Sequence, residues 1–154
     1  MKPVLILKIG TAAITNTDGE TDEQALSEIC QQVAKLHERY RLILVSSGAV
    51  GAGQRFLRHF SGKIAERKAA AAIGNPILIR KYAEYLEPFG MSVAQSLCER
   101  HHFSNRHQFV ELKETFEELW RNEIIPVVNE NDVVSDHTLK FSDNDEIATF
   151  LAVG

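Results

Sequence analysis

Three short segments of this sequence gather residues able to handle charge. The first is Lys8-Ile9-Gly10-Thr11, where an ammonium group is followed by a glycine that lets backbone approach a ligand closely. The second runs from Ser46 to Gly53 as Ser-Ser-Gly-Ala-Val-Gly-Ala-Gly. Small side chains and three glycines let consecutive N–H groups point at one spot, an arrangement that favours an anion. The third is Asn129-Glu130-Asn131-Asp132, resumed at Ser142-Asp143-Asn144-Asp145-Glu146. Its amides and carboxylates suit a substrate ammonium group and the orientation of a metal–nucleotide. A cation, an N–H nest and an amide–carboxylate cluster together fit phosphoryl transfer, in which charge spreads over the equatorial oxygens.

Each segment also has a plainer reading. Lys8 ends an apolar run with its head in water. The glycines serve close helix–strand packing. Asn and Asp form turns and caps. The glycine segment is neither a Walker A loop, lacking a Gly-Lys-Ser/Thr ending, nor a G-x-G-x-x-G fingerprint, since its glycines fall at 48, 51 and 53.

The elements that must position these segments follow from hydrophobic patterning. Val4–Leu7, Arg41–Val45, Met91–Leu97 and Ile124–Val128 are branched apolar runs that read as buried strands. Leu26, Ile29, Val33 and Leu36 recur at steps of three and four behind a cap at Thr21 or Asp22. Lys63–Glu87 reads as helical with a break near Gly74-Asn75-Pro76, and Gln108–Arg121 as a helix with Phe109, Leu112, Phe116 and Leu119 inward. A polar segment spans Asn129–Ser142, and Asp143–Val153 reads as a last helix. Strands alternating with helices imply an α/β fold, a three-layer sandwich around a mostly parallel sheet. All three charged segments then lie at carboxyl ends of strands, where ligands of open α/β sheets bind.

With 154 residues, 44% of them hydrophobic and 25% charged, the chain suits one packed domain. A net charge of −4 speaks against nucleic-acid or anionic-membrane binding. The basic residues Arg55, Arg58, Lys63, Arg67 and Lys68 read as a solvated face. Cys30 and Cys98 belong to no CxxC pair and are expected as buried thiols. No signal segment or stretch of transmembrane length is visible, so a cytoplasmic location is expected. No metal ligands are assigned: His101 and His102 are adjacent and expected to face different ways, and with His107 they lack a cysteine or carboxylate at a zinc-like spacing. Trp120 reads as packing and His137 as a loop residue.

These segments resemble the amino acid kinase family, and within it the glutamate 5-kinase branch. The resemblance rests on Lys8-Ile9-Gly10-Thr11, Val45–Gly53, Ile125–Asp132 and Phe141–Asp145, with support from Ala70–Pro76 and Gln95-Ser96-Leu97. It implies ATP-dependent phosphorylation of the glutamate side-chain carboxylate, the first step of proline biosynthesis. Lys8 and Asp145 would be catalytic, Lys8 contacting the transferring phosphoryl group beside Gly10 and Thr11, and Asp145 organising lysines and metal–ATP. Ser47, Gly48, Ala49, Asn131, Asp132 and Asn144 would bind glutamate. The family further implies ATP and Mg²⁺ as cofactors, brought by a nucleotide lobe, with proline as feedback inhibitor and assembly into a homo-oligomer. Residues 1–154 match the acceptor-binding lobe only; the nucleotide lobe has no counterpart in them, and such a lobe alone is expected to be inactive. Ser142 stands where the family usually has glycine. The alternatives are a sibling amino acid kinase and a non-catalytic glutamate- or proline-binding module.

Overall fold

In the computed structural model, which describes residues 1–130, 148, 151 and 152, four strands form one sheet. These are β1 (Val4–Ile9), β2 (Arg41–Ser46), β3 (Ser92–Cys98) and β4 (Ile124–Glu130). The order is β1-β2-β4-β3 and every pairing is parallel. Both the α/β class and the layered architecture expected from the sequence are present. The last strand runs two residues further than its apolar run suggests, because Leu97 and Cys98 of β3 stay in register with Asn129 and Glu130. The polar segment therefore begins inside the sheet.

Period-two alternation splits the strands between two cores. Leu42 and Leu44 of β2 join Ile9, Ile125 and Val127 on one face, under α2 (Glu23–His37) and α4 (Ile64–Leu86). Ile43 and Val45 join Val128 and Phe116 on the other, under α6 (Arg106–Arg121). Helix α2 forms where the stripe places it: Leu26, Cys30 and Val33 are buried, and the Asp22 carboxylate caps it by accepting from the Ala25 N–H at 3.1 Å. Helix α6 starts at Arg106, two residues before the expected Gln108, because Asn105 serves as cap and accepts from the Gln108 N–H. Trp120 packs as expected, donating its indole N–H to the Leu42 carbonyl at 3.0 Å beneath the Arg41 guanidinium.

The expected break in the long helix is absent. Helix α4 runs unbroken through Gly74-Asn75-Pro76. A proline inside a helix removes one backbone hydrogen bond and costs about 3 kcal/mol. Here Ala70, Ala71, Gly74, Asn75, Leu78, Tyr82 and Leu86 are all buried along the same helix. Burial of each large apolar side chain returns about 1.5–3 kcal/mol, so packing outweighs the local preference.

The connections fix where a ligand crevice lies. The step from β2 to β3 passes over the first face through α3 (Ala49–Gly53) and α4, whereas the step from β3 back to β4 passes over the second through α5 (Arg100–Ser104) and α6. Right-handed crossovers require this change of face once the strand order reverses. Beyond β4, Ala148 and Leu151 pack on the second face. The adjacent strands β2 and β4 are thus followed by described residues packed on opposite faces, which marks their carboxyl ends as the place for a ligand crevice.

Candidate functional site

Ser46 and Asn129 follow directly on the paired Val45 and Val128, so both stand at the base of this crevice. Both are buried, as are Ser47 and Ala49. The chain turns sharply after β2. The Ser47 N–H donates to the Ile9 carbonyl at 2.9 Å, which ties the end of β2 to the end of β1. Gly48 then adopts φ 102°, ψ 4° and starts α3. Glycine is required there twice over: the backbone is left-handed, and a Cβ would lie 2.8 Å from Ile14 Cδ1. The Ser47 N–H is committed to the sheet, so it cannot join the N–H nest expected from the sequence.

The glycines of this turn also serve the plainer role, and the two readings join. A Cβ on Gly53 would meet the Ala70 carbonyl oxygen at 1.9 Å, and one on Gly74 would meet the Ala49 carbonyl oxygen at 1.7 Å. Helices α3 and α4 therefore touch backbone to backbone, and that contact holds the turn at the mouth of β2.

A buried hydroxyl pair braces it from below. The Tyr82 hydroxyl of α4 lies 2.7 Å from Ser46 Oγ, and Ser46 Oγ donates to the Ser47 carbonyl at 3.1 Å. With the Ser46 proton on that carbonyl, the Tyr82 hydroxyl is the donor to Ser46. Burial raises the Tyr82 pKa above the ordinary tyrosine range, while its bond to Ser46 pulls the other way; the hydroxyl stays protonated. Beside it, Asn129 Nδ2 donates to Asn75 Oδ1 at 3.1 Å. Ser46, Asn75, Gln95 and Asn129 line a cavity of about 10 Å³, room for about one water molecule. Sequence reasoning missed Tyr82 and Asn75, since neither belongs to a charged segment and both reach the site from the middle of a helix.

Lys8 is exposed near the end of β1, next to Ile9, which pairs with Ser46. Its ammonium folds over Gly10, lying 3.4 Å from where a Cβ would stand, so a side chain at position 10 would crowd it. Thr11 opens α1 (Thr11–Ile14), with Gly10 as cap residue at an ordinary φ of −75°. The structure thus brings Lys8, Gly10, Ser47, Gly48 and Ala49 to neighbouring strand ends. Asn131, Asp132, Asn144 and Asp145, with Ser142 and His137, lie outside the described residues.

The histidines differ from expectation. His101 and His102 do not diverge; their rings are 4.3 Å apart, and both Nε2 atoms approach Glu99 Oε2, at 3.8 and 4.0 Å. Glu99 is the carboxylate that spacing failed to supply. Yet the cluster is built as a helix cap, because His102 Nδ1 accepts the Glu99 backbone N–H at 2.9 Å. Neutral His102 then carries its proton on Nε2, which leaves that atom no lone pair for a metal.

Among the described residues no helix is long and apolar enough to cross a membrane. Arg55, Arg58, Lys63 and Arg67 are exposed and Lys68 half-buried, as a solvated face requires. Cys30 and Cys98 are free and buried. A groove of about 530 Å³ between β1 and α6, bordered by Val4, Arg41, Lys113 and Trp120, includes the amino ends of β1 and β2, away from the crevice.

Residues 3–154 match the family model described as the amino acid kinase family. The chain is 39% identical to glutamate 5-kinase of Thermus thermophilus over 96% of its own length and 40% of that protein's. It is 34% identical to glutamate 5-kinase of Proteus mirabilis, covering 97% of this chain and 41% of the relative. For glutamate 5-kinase of Synechococcus elongatus the identity is 37%, covering 99% and 42%. The chain thus spans about two fifths of the length of the curated relatives it matches. Among solved structures, UMP kinase from Ureaplasma parvum superposes with a TM-score of 0.62 at 14% identity, covering 99% of this chain and 64% of that one; this likeness concerns the fold.

Proposed function

Because the chain belongs to the amino acid kinase family, we propose that it forms the acceptor side of a kinase that phosphorylates the side-chain carboxylate of glutamate with ATP, the first step of proline biosynthesis. The observation that carries this reading is the Ser47-Gly48-Ala49 turn, set by a left-handed glycine at the β2–β4 crevice. The names of the relatives supply the substrate class.

A glutamate carboxylate is ionised at neutral pH and is already a nucleophile, so the site needs no general base. One carboxylate oxygen attacks the γ-phosphorus in line, the bond to the leaving ADP breaks, and an acyl phosphate forms. The chain's task is to hold the acceptor and spread charge. In this reading the Ser47 hydroxyl and the N–H groups of Gly48 and Ala49 grip glutamate. Asn131, Asp132 and Asn144 take its polar ends, and Asp145 orders the lysines around the nucleotide. Lys8, folded over Gly10, fits a phosphoryl oxygen as counter-charge, and Thr11 borders the same spot. Mg²⁺ arriving with the nucleotide would neutralise charge on its phosphates. The remaining part of such an enzyme supplies the nucleotide-binding groups. Feedback inhibition by proline, homo-oligomeric assembly and a cytoplasmic location belong to the same proposal.

Calorimetric titration of the 154-residue chain tests it. Saturable heat with L-glutamate and none with aspartate or UMP is the expected result; binding of aspartate or UMP in place of glutamate would sink the acceptor assignment.

A further inference from the structure

We infer that Asn75 is a positioning residue for the proposed acceptor site, anchoring the carboxyl end of β4 to the helix that shapes the Ser47-Gly48-Ala49 turn; its link to glutamate rests on the function proposed above. Asn75 and Asn129 are 5% and 4% exposed, and Asn129 Nδ2 donates to Asn75 Oδ1 at 3.1 Å across 54 positions of sequence. A buried amide left without a partner is costly, so the pair fixes the approach of β4 to α4 in direction as well as in distance. An apolar contact would fix distance alone.

The position of Asn75 on α4 gives the bond its significance. Its neighbour Gly74 is the residue whose missing side chain admits the Ala49 carbonyl. Two turns further on, Tyr82 reaches Ser46 at the end of β2. One helix therefore contacts both walls of the crevice: the α3 turn through Gly74, the end of β2 through Tyr82, and the end of β4 through Asn75. Beyond Asn129 the chain continues into Asn131 and Asp132. Any shift of β4 against α4 changes the distance between Asn129, at the end of β4, and the Ser47-Gly48-Ala49 turn. Asn75 itself is proposed to touch neither glutamate nor nucleotide.

Two measurements on the 154-residue chain test this. The first needs no ligand: amide hydrogen exchange in Asn75→Leu, a near-isosteric change, beside Leu78→Ala, which empties space on the same cavity wall without breaking a polar link. Asn75→Leu is expected to lower protection at Asn129 and Glu130 by about tenfold more than Leu78→Ala does. Equal or smaller loss would overturn the anchoring. The second is glutamate affinity in Asn75→Leu and in Asn75→Leu/Asn129→Leu. The double variant leaves neither amide of this pair facing a missing partner and so is expected to recover part of the lost stability while still binding glutamate about tenfold more weakly. Affinity that recovers together with stability would reduce Asn75 to a structural role and overturn the inference. Should the unaltered chain bind no glutamate, the acceptor reading falls, and the exchange measurement alone decides the anchoring.

Discussion

The backbones of Ala49 and Gly74 are in direct contact: a Cβ on Gly74 would stand 1.7 Å from the Ala49 carbonyl oxygen. No rotamer relieves such a clash, so Gly74→Ala must push α3 away from α4. Overpacking of this kind costs about 3 kcal/mol. Gly62 provides the comparison, since it has φ +86° and a Cβ there would meet nothing within 4 Å. There Ala meets only backbone strain, about 1–2 kcal/mol. Urea unfolding of both variants checks the difference, and equal losses would contradict the close contact.

Ser46 and Tyr82 are predicted to act as one unit. Tyr82→Phe removes a buried donor and costs about 1 kcal/mol, whereas Ser46→Ala strands the Tyr82 hydroxyl and costs about 2 kcal/mol. The double variant leaves no stranded Tyr82 hydroxyl, so its loss falls short of the sum of the singles by at least about 0.5 kcal/mol. A double-mutant cycle in denaturant measures this coupling; strict additivity would show that the 2.7 Å contact does not form in solution.

Alkaline pH should weaken the fold through Cys30. Burial pushes this thiol up to about 12, whereas an unfolded cysteine titrates near 8.5. Above that value the unfolded chain releases a proton that the folded chain keeps, so stability falls as pH rises. The expected slope from this group is about 1.4 kcal/mol per pH unit once the pH is well above 8.5. Cys98, raised by burial as well, and Tyr82 add to it. Unfolding curves at several pH values between 8 and 11 check the sign, and Cys30→Ala should flatten part of the decline.

What the sequence discloses follows from which forces are local. Branched apolar runs such as Leu42–Val45 and the stripe at Leu26, Ile29, Val33 and Leu36 encode burial directly, so sheet and helices are readable from spacing. The left-handed turn at Gly48 is legible in part, because a glycine after two serines marks a turn without fixing which N–H groups stay available. Pro76 misleads, since its local preference is overridden by burial along the whole of α4. Asn75 and Tyr82 carry no local signal at all; their roles arise from contacts across 54 and 36 positions. The pairing of His101 with His102 was hidden because α5 is too short for a periodic pattern, and the tautomer that disqualifies a metal depends on one backbone N–H.

Glutamate is proposed to bind in the crevice between β2 and β4. Following the backbone amide resonances of the 154-residue chain during titration with L-glutamate tests it most directly. Saturable shifts centred on Gly48, Ala49, Val50 and Asn129, greatly reduced in Ser47→Ala, are the expected result. Shifts that are absent, or that gather instead at Arg41, Lys113 and Trp120 beside the groove between β1 and α6, would contradict it.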